Sequence, residues 1–310
     1  MAIGTRRKYL HNKKNIKKRK LKFTKKNCSP IMKGKTVHKN SCLTSNVMFN
    51  LKKQYNHKYP EDPIRENTPA SIWKLLKKKM TTCQSEDCWL TELAEPDVKK
   101  RLERYAFSPK SPTSWKNDPN EWLTNHDINN VLGQYEYKYD SFEFIGPSFI
   151  DFNDKLGDTC VDTEVCNLNI QEQMDNKKDK IGIIFNLDRH DQPGSHWVSL
   201  FIDLKDKFIY YFDSVGTKIP NRIYELVKNI QEQGTKLSTK IDFKFIDNHL
   251  FEHQKSNTEC GMYSLFFIIT LLTNKVFSRP FNGLEEKLDF FKSNKIPDKK
   301  MEELRKKYYN

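Results

Sequence analysis

The sequence predicts an α+β fold, a central mixed sheet flanked by helices. A cysteine sits at the N-terminus of one apolar helix, and an N-terminal helical arm and a basic disordered tail come ahead of the sheet. Three observations carry this expectation. Short apolar runs of strand length, rich in β-branched and aromatic residues, cluster between residues 181 and 246. A longer apolar run, Met262 to Leu272, follows them. Charge is segregated along the chain: residues 1–60 hold 18 Lys/Arg and no Asp or Glu, whereas the other 250 hold 36 Lys/Arg and 40 Asp/Glu.

That charge map defines the first element. The net +14 is +18 in the head against −4 in the body. A basic head with few aliphatic residues cannot offset its ordering entropy by burial, so residues 1–60 read as a disordered tail. The run Lys17-Lys18-Arg19-Lys20 suits a nuclear-import signal or a contact with nucleic acid or another polyanion through residues 1–60; a merely solubilising extension is the competing expectation. Pro60, Pro63 and Pro69 mark a linker, and apolar residues at 72, 75, 76 and 80 then follow helical spacing. Residues 61–112 are thus expected to form a small helical arm, closed by Pro109 and Pro112.

Residues 113–310 read as one domain. Asn125-His126-Asp127 opens a helix through Ile128, Val131 and Leu132. Ile181 to Leu187, Trp197 to Leu204 and Phe208 to Phe212 are expected strands, the last two joined as a hairpin by Lys205-Asp206-Lys207. Pro220 begins an amphipathic helix with apolar residues at 223, 226, 227 and 230. Lys240 to Ile246 alternates as a strand, and Asn257 or Thr258 can cap a buried helix running to Leu272.

No apolar stretch approaches the ~20 residues of a membrane span. Met1 to Leu10 has no apolar core, so no secretory signal is expected there. The odd number of cysteines, seven, and their uneven spacing point to free thiols in a reducing compartment. Neither Cys83/Cys88 nor Cys160/Cys166 has zinc-site spacing, so neither metal nor cofactor is expected.

The hairpin brings candidate chemistry together. His196 starts its first strand and Asp213 ends its second, seventeen residues later, so topology alone places the two side by side. Such a carboxylate can hold an imidazole in one tautomer and stabilise its cation. Cys260 lies in the first turn of the apolar helix, where free N–H groups and the helix dipole favour a thiolate. Gly261 beside it leaves room for a substrate carbonyl, and the Gln254 amide can donate to a developing oxyanion. Taken singly, each residue has an ordinary structural explanation. Together, they supply a nucleophile, a base, an orienting acid and an oxyanion donor, as acyl transfer requires. His190, in the loop before the strand, and His249 and His253, before the Cys260 helix and without an evident orienting acid, rank below His196.

The blocks Ser195-His196-Trp197-Val198-Ser199-Leu200, Tyr211-Phe212-Asp213-Ser214 and Gln254 through Glu259-Cys260-Gly261 resemble the ubiquitin-like-protein-specific (SUMO) proteases and adenovirus protease. Trp122-Leu123 looks like the other tryptophan motif of that family. The resemblance covers roughly 120–275 and implies a cysteine peptidase with a Cys–His–Asp triad of Cys260, His196 and Asp213 and a Gln254 oxyanion donor. It assigns Trp197 and Trp122 to a narrow substrate channel that admits a Gly-Gly segment; for Trp122, a core anchor is the competing expectation. Pro69 to Trp73, Cys83 through Leu90, and Ile296-Pro297-Asp298 with Met301 and Arg305 look like the large-DNA-virus members. Those relatives process structural polyproteins at Gly-Gly-X sites, which implies a virion and host-cytoplasm location, with the nucleus as the alternative. Two other functions compete. One is deconjugation of SUMO, ubiquitin or another ubiquitin-like modifier. The other is a non-enzymatic basic nucleoprotein with an inactive protease fold.

Overall fold

The computed structural model describes residues 22–310. Four helices come first: α1 (Ser45–Lys58), α2 (Pro69–Lys79), α3 (Glu86–Leu93) and α4 (Pro96–Ala106). Then α5 (Asn125–Lys138) leads into β1 (Phe142–Phe149). A short ladder, β2 (Lys155–Leu156) with β3 (Thr159–Cys160), and the small helices α6 (Thr163–Cys166) and α7 (Ile170–Asp175) precede β4 (Lys180–Asn186), β5 (Trp197–Asp203) and β6 (Phe208–Phe212). The chain continues through α8 (Asn221–Lys236), β7 (Lys244–Asp247), α9 (Cys260–Thr273), the ladder β8 (Lys275–Val276) with β9 (Arg279–Pro280), α10 (Leu284–Ser293) and α11 (Asp298–Tyr308).

Five strands form the central mixed sheet in the order β1-β4-β5-β6-β7. The outer pairs β1/β4 and β6/β7 are parallel, and the inner pairs are antiparallel. Each inner strand divides its side chains between two cores, because successive residues point to opposite faces. Trp197, Phe201, Phe208, Tyr210 and Phe212 face α9, α5, α10 and α11. Val198, Leu200, Ile202, Ile209 and Tyr211 face α8 and the small helices. With a core on both sides, all seven residues of β5 are buried and five of them are apolar, which is why that strand does not alternate apolar with polar. Helix α9 is apolar on every side for the same reason, with thirteen of its residues buried.

Most elements fall where expected, with local corrections. Thr124 caps α5, in a capping box with Asp127. Neither Asn257 nor Thr258 caps α9; its N-cap is Glu259, with no side-chain cap bond. The strand expected from Lys240 begins only at Lys244, because the chain at Ile241 turns to donate to the Gly234 carbonyl of α8.

Two larger expectations are corrected. Residues 1–60 are not a single disordered tail. Residues 1–21, including Lys17–Lys20, lie outside the described residues, but residues 22–60 build part of the arm. Leu43, Met48, Leu51 and Tyr55 are buried with Ile72, Leu76, Trp89 and Leu90 in a third core that runs from Ile31 to Phe107. The expected boundary at residue 61 therefore falls inside this unit. The spacing 48, 51, 55 is helical, but a composition averaged over 60 basic residues dilutes it. The free-thiol expectation is also corrected: Cys28–Cys42, Cys83–Cys88 and Cys160–Cys166 are disulfide-bonded, leaving Cys260 as the free cysteine. Local folding brings each pair together, which unequal spacing does not forbid.

The C-terminus closes the seam between arm and sheet. Asn310 accepts the Asn27 N–H through its side-chain oxygen and donates to the carbonyls of Asn27 and Ser108. Asn27 in turn donates to the carbonyls of Lys306 and Tyr309. Among the described residues, no helix is long and apolar enough to cross a membrane, and no group of three His, Cys, Asp or Glu side chains could hold a metal ion.

Candidate active site

His196 immediately precedes β5 and Asp213 immediately follows β6, so the antiparallel pairing of the two strands sets their distance. His196 Nε2 lies 2.7 Å from Asp213 Oδ1. That leaves Nδ1 as the ring nitrogen available to a thiol. The approach to His196 is tied down by Asp188, which accepts the Ser195 hydroxyl and the Gly194 N–H. Gly194 is required there, with φ of +97° and the Asn186 side chain 2.7 Å from where a Cβ would stand.

Asp213 is fully buried. Its carboxylate also accepts the N–H groups of Val215 and Thr217 and the Thr217 hydroxyl. Asn248 clamps its backbone, accepting the Asp213 N–H at 2.9 Å and donating to its carbonyl at 2.7 Å. Burial acts to raise the Asp213 pKa, but the hydrogen bonds and the charge of His196 prevail and hold it below the ordinary value. Burial likewise opposes the His196 cation. The hydrogen bonds and charges of Asp213 and Cys260 outweigh it and lift the imidazole to about 10. His196 and Cys260 are thus coupled as well as adjacent.

Cys260 is the first residue of α9 and is buried. Glu259 before it makes a two-pronged ion pair with Arg305 of α11, at 3.1 and 3.2 Å. Arg305 also donates to the Glu121 carbonyl and lies over the Trp115 ring. The loop before Cys260 is held by Asp298, which accepts the N–H groups of Lys255 and Ser256 and the Tyr263 hydroxyl. The C-terminal helix therefore braces both sides of the loop that presents Cys260. Gly261 has a packing role beyond the one expected: a Cβ there would lie 3.0 Å from Leu123.

Gln254 is buried in this loop. Its side-chain oxygen accepts the Ser214 hydroxyl at 2.7 Å, and its amide donates to the Ser256 carbonyl at 2.6 Å. The Ser256 carbonyl can only accept, so that bond fixes which end of the amide is the donor, and the second N–H is left unspent. Trp197 is buried, with its indole N–H bonded to the Leu123 carbonyl at 3.0 Å. Trp122, next to Leu123, is 40% exposed and so is not a core anchor.

The other histidines have separate places. His190 pairs with the buried Asp151 at 2.7 Å, a second His–Asp contact missed in the sequence because its two halves come from distant loops. His253 is buried against the Phe291 carbonyl, and burial lowers it to about 4. His249 donates its backbone N–H to Asp247. Ser214, Asn248, Asp298 and the role of Glu259 were also missed. Ser and Asn in loops carry no distinctive spacing, although Asp298 and Arg305 lay within the motif blocks.

Known proteins agree with this architecture. Residues 147–310 match the model of the Ulp1 protease family, C-terminal catalytic domain. A thiol protease of Acanthamoeba polyphaga mimivirus is 38% identical over 162 residues, covering 51% of this chain and 50% of the mimivirus protein. The chain thus spans half the length of that relative. A cysteine protease of African swine fever virus is 29% identical over 220 residues, covering 64% of this chain and 77% of the viral protein. A crystal structure of the African swine fever virus protease shares the fold, with a TM-score of 0.62 at 21% identity over 94% of this chain and 98% of the other. The family match extends over more than half of the chain, and its relatives include thiol and cysteine proteases of large DNA viruses: the chain belongs to the Ulp1 protease family.

Proposed function

We propose that the chain is a cysteine endopeptidase that cleaves after Gly-Gly-type sites in structural polyprotein precursors of a large DNA virus during virion maturation. The observation that carries this reading is the coupling of the free Cys260 to a His196 lifted to about 10 and held by Asp213. In this reading, the Cys260 thiolate attacks the scissile carbonyl carbon. The second Gln254 amide N–H and the Cys260 backbone N–H, free because it begins a helix, stabilise the oxyanion. The His196 cation gives its Nδ1 proton to the leaving amine, which frees the acyl-enzyme for hydrolysis. Water then loses a proton to the neutral imidazole as it attacks the thioester. Trp197 and the exposed Trp122 flank the Leu123–Gly261 contact, which suits a flat-walled channel that excludes a Cβ before the scissile bond.

The built arm favours virion processing over deconjugation, since the fold of the African swine fever virus protease matches 94% of this chain, a span too long to exclude the arm. Such a role places the enzyme in the virion and in host cytoplasm. An inactive nucleoprotein would have no need for three braced groups, His196, Asp213 and Gln254, around one free thiol. The test is incubation with Gly-Gly-X peptides and with SUMO and ubiquitin conjugates, read by mass spectrometry. Cleavage after Gly-Gly in peptides, abolished in Cys260→Ala with folding unchanged, is expected. Turnover of conjugates alone would make the protein a deconjugating enzyme, and activity surviving in Cys260→Ala would refute the nucleophile.

A further inference from the structure

A groove of about 490 Å³ runs along the seam between arm and sheet, at the end of α9 away from Cys260. Five lysines line it, from four separate parts of the chain. Lys33 and Lys39 come from the segment before α1, Lys138 from the last turn of α5, Lys275 from β8 and Lys307 from α11. No Asp or Glu lines the groove. None of the five lysines makes an ion pair among the described residues, although many other lysines do. The charges feel one another. Partial burial first, and then the cations Lys33, Lys35 and Lys275, lower the Lys138 pKa. Folding therefore gathers like charges from distant sequence positions without internal compensation, at a cost in stability that a bound polyanion would reverse.

We infer that this groove binds single-stranded nucleic acid, with its lysines on the phosphates. The wall supplies aromatic surface as well as charge: Tyr135 and Tyr139, half-buried against the core, lie one helical turn apart with their rings near parallel, 6.4 Å between centroids, and Phe277, stacked by one face on Phe266, is 47% exposed. Lysines interleaved with aromatic side chains are what a sequence-tolerant single-strand site requires, because every base offers a π-face. A duplex keeps its bases stacked on one another and away from the wall, whereas a single strand can lay its bases on it; an acidic peptide is the alternative that the test separates. The sequence placed a polyanion contact on residues 1–60 as a solvated tail. The structure instead draws Lys33 and Lys39 of that segment into a shaped site with three lysines from beyond residue 113. The groove meets α9 only from Phe266 onward, and none of its lining residues is Cys260, His196, Asp213 or Gln254, so binding and peptide cleavage are separable.

The test uses the full chain and a fluorescein-labelled oligothymidylate of roughly 20 nucleotides, longer than one single-strand site. Anisotropy titrations run from ~50 to ~200 mM salt, the range over which phosphate contacts weaken most visibly. The triple variant Lys138→Ala/Lys275→Ala/Lys307→Ala is expected to weaken binding at least about tenfold. It should also flatten the slope of log K against log salt by about 2, three contacts at ~0.7 each. A control, Lys218→Ala/Lys244→Ala, removes two unpaired lysines outside the groove and should change affinity less than about threefold. Gly-Gly peptide cleavage should be unaffected in both variants, and the triple variant, relieved of like charges, should melt no lower than the wild type, which keeps this site distinct from the proposed peptidase activity. Wild-type binding in the triple variant, or an equal loss in the control, overturns the groove. Poly-glutamate competing as well as the oligonucleotide overturns the nucleic-acid assignment. Loss of all binding on deleting residues 1–21 alone would move the site to that segment and overturn it too.

Discussion

Asp213 has more than one donor on each oxygen, and this sets what a substitution there can do. Oδ1 takes His196 Nε2 and the Val215 N–H; Oδ2 takes the Thr217 N–H and hydroxyl. If orientation of the imidazole were the only duty, Asn would serve nearly as well. In this site, however, an Asn amide would turn its NH2 toward the Thr217 N–H, and the charge that lifts His196 would be gone. Asp213→Asn should therefore lower kcat/KM by at least about 10², at the lower end of what a misplaced acid–base group costs. The pH profile gives the sharper reading. His196 is raised from 6.5 to about 10, so its cation contributes stability in full below about 6.5 and loses it as pH rises through about 10. Asp213 lies below its ordinary 3.8, so its contribution is present above that value and is lost as pH falls through the lowered pKa. In Asp213→Asn the alkaline limb of kcat/KM should move down from near pH 10 toward neutrality; an unmoved limb would mean that Cys260 alone holds the cation. Gln254→Ala should lower kcat by about 10²–10³ with KM little changed, as expected for a donor used only in the transition state. Ser214→Ala removes one of the two bonds that hold the Gln254 amide and leaves the Ser256 carbonyl in place, so a drop of about fivefold, one ordinary hydrogen bond, is expected. A pure KM effect in either variant would make Gln254 a substrate-binding residue.

At the scale of elements, the hairpin and α9 were legible because their signals are local. Phe208 to Phe212 is continuous and apolar, the turn lies between two apolar runs, and Met262 to Leu272 has no alternative to burial. The His196–Asp213 pair followed from that hairpin without any knowledge of the rest of the sheet. Strand β1 was not legible: Phe142 to Phe149 contains Gly146 and Pro147 and pairs in parallel with a strand 38 residues later in register, which no local pattern announces. The bracing of Cys260 was hidden for the same reason, since Glu259 and Arg305 are 46 residues apart. Both side chains of that pair are almost wholly buried. Burial raises the Glu259 carboxyl even with Arg305 beside it, a sign that the pair does not fully repay its desolvation. Arg305→Met should thus destabilise the protein by roughly 3–5 kcal/mol, because it strands a buried carboxylate. The double variant Glu259→Gln/Arg305→Met should recover most of that loss. Urea unfolding of the two variants measures this; a double variant no better than the single would show that Arg305 acts through Trp115 and Glu121 instead.

At the scale of the whole molecule, the arm and the sheet share the C-terminal helix. Asn27 and Asn310 bind reciprocally across the seam, the Ser108 hydroxyl bonds to the Lys307 carbonyl, and α11 carries Arg305 back to the residue before Cys260. This path begins inside the segment that composition alone marks as a tail, and two truncations separate the readings. Deleting residues 1–21 removes nine of the head's eighteen basic residues but none of the described structure, so the melting temperature should be unchanged and kcat/KM on a Gly-Gly peptide should stay within about twofold of the full chain. Deleting residues 1–60 removes the Cys28–Cys42 disulfide, Asn27 and the buried side chains of Leu43, Met48, Leu51 and Tyr55. Four such side chains at roughly 1.5–3 kcal/mol each are worth ~6 kcal/mol or more, comparable with the whole stability of an ordinary domain. The shorter chain should lose its cooperative transition in the arm and, with α11 untethered, lose cleavage efficiency through kcat, because the loop presenting Cys260 and Gln254 is no longer held. Equal melting temperature and equal kcat/KM for the two truncations would show that α1 is dispensable and that the sheet and its helices stabilise the site unaided.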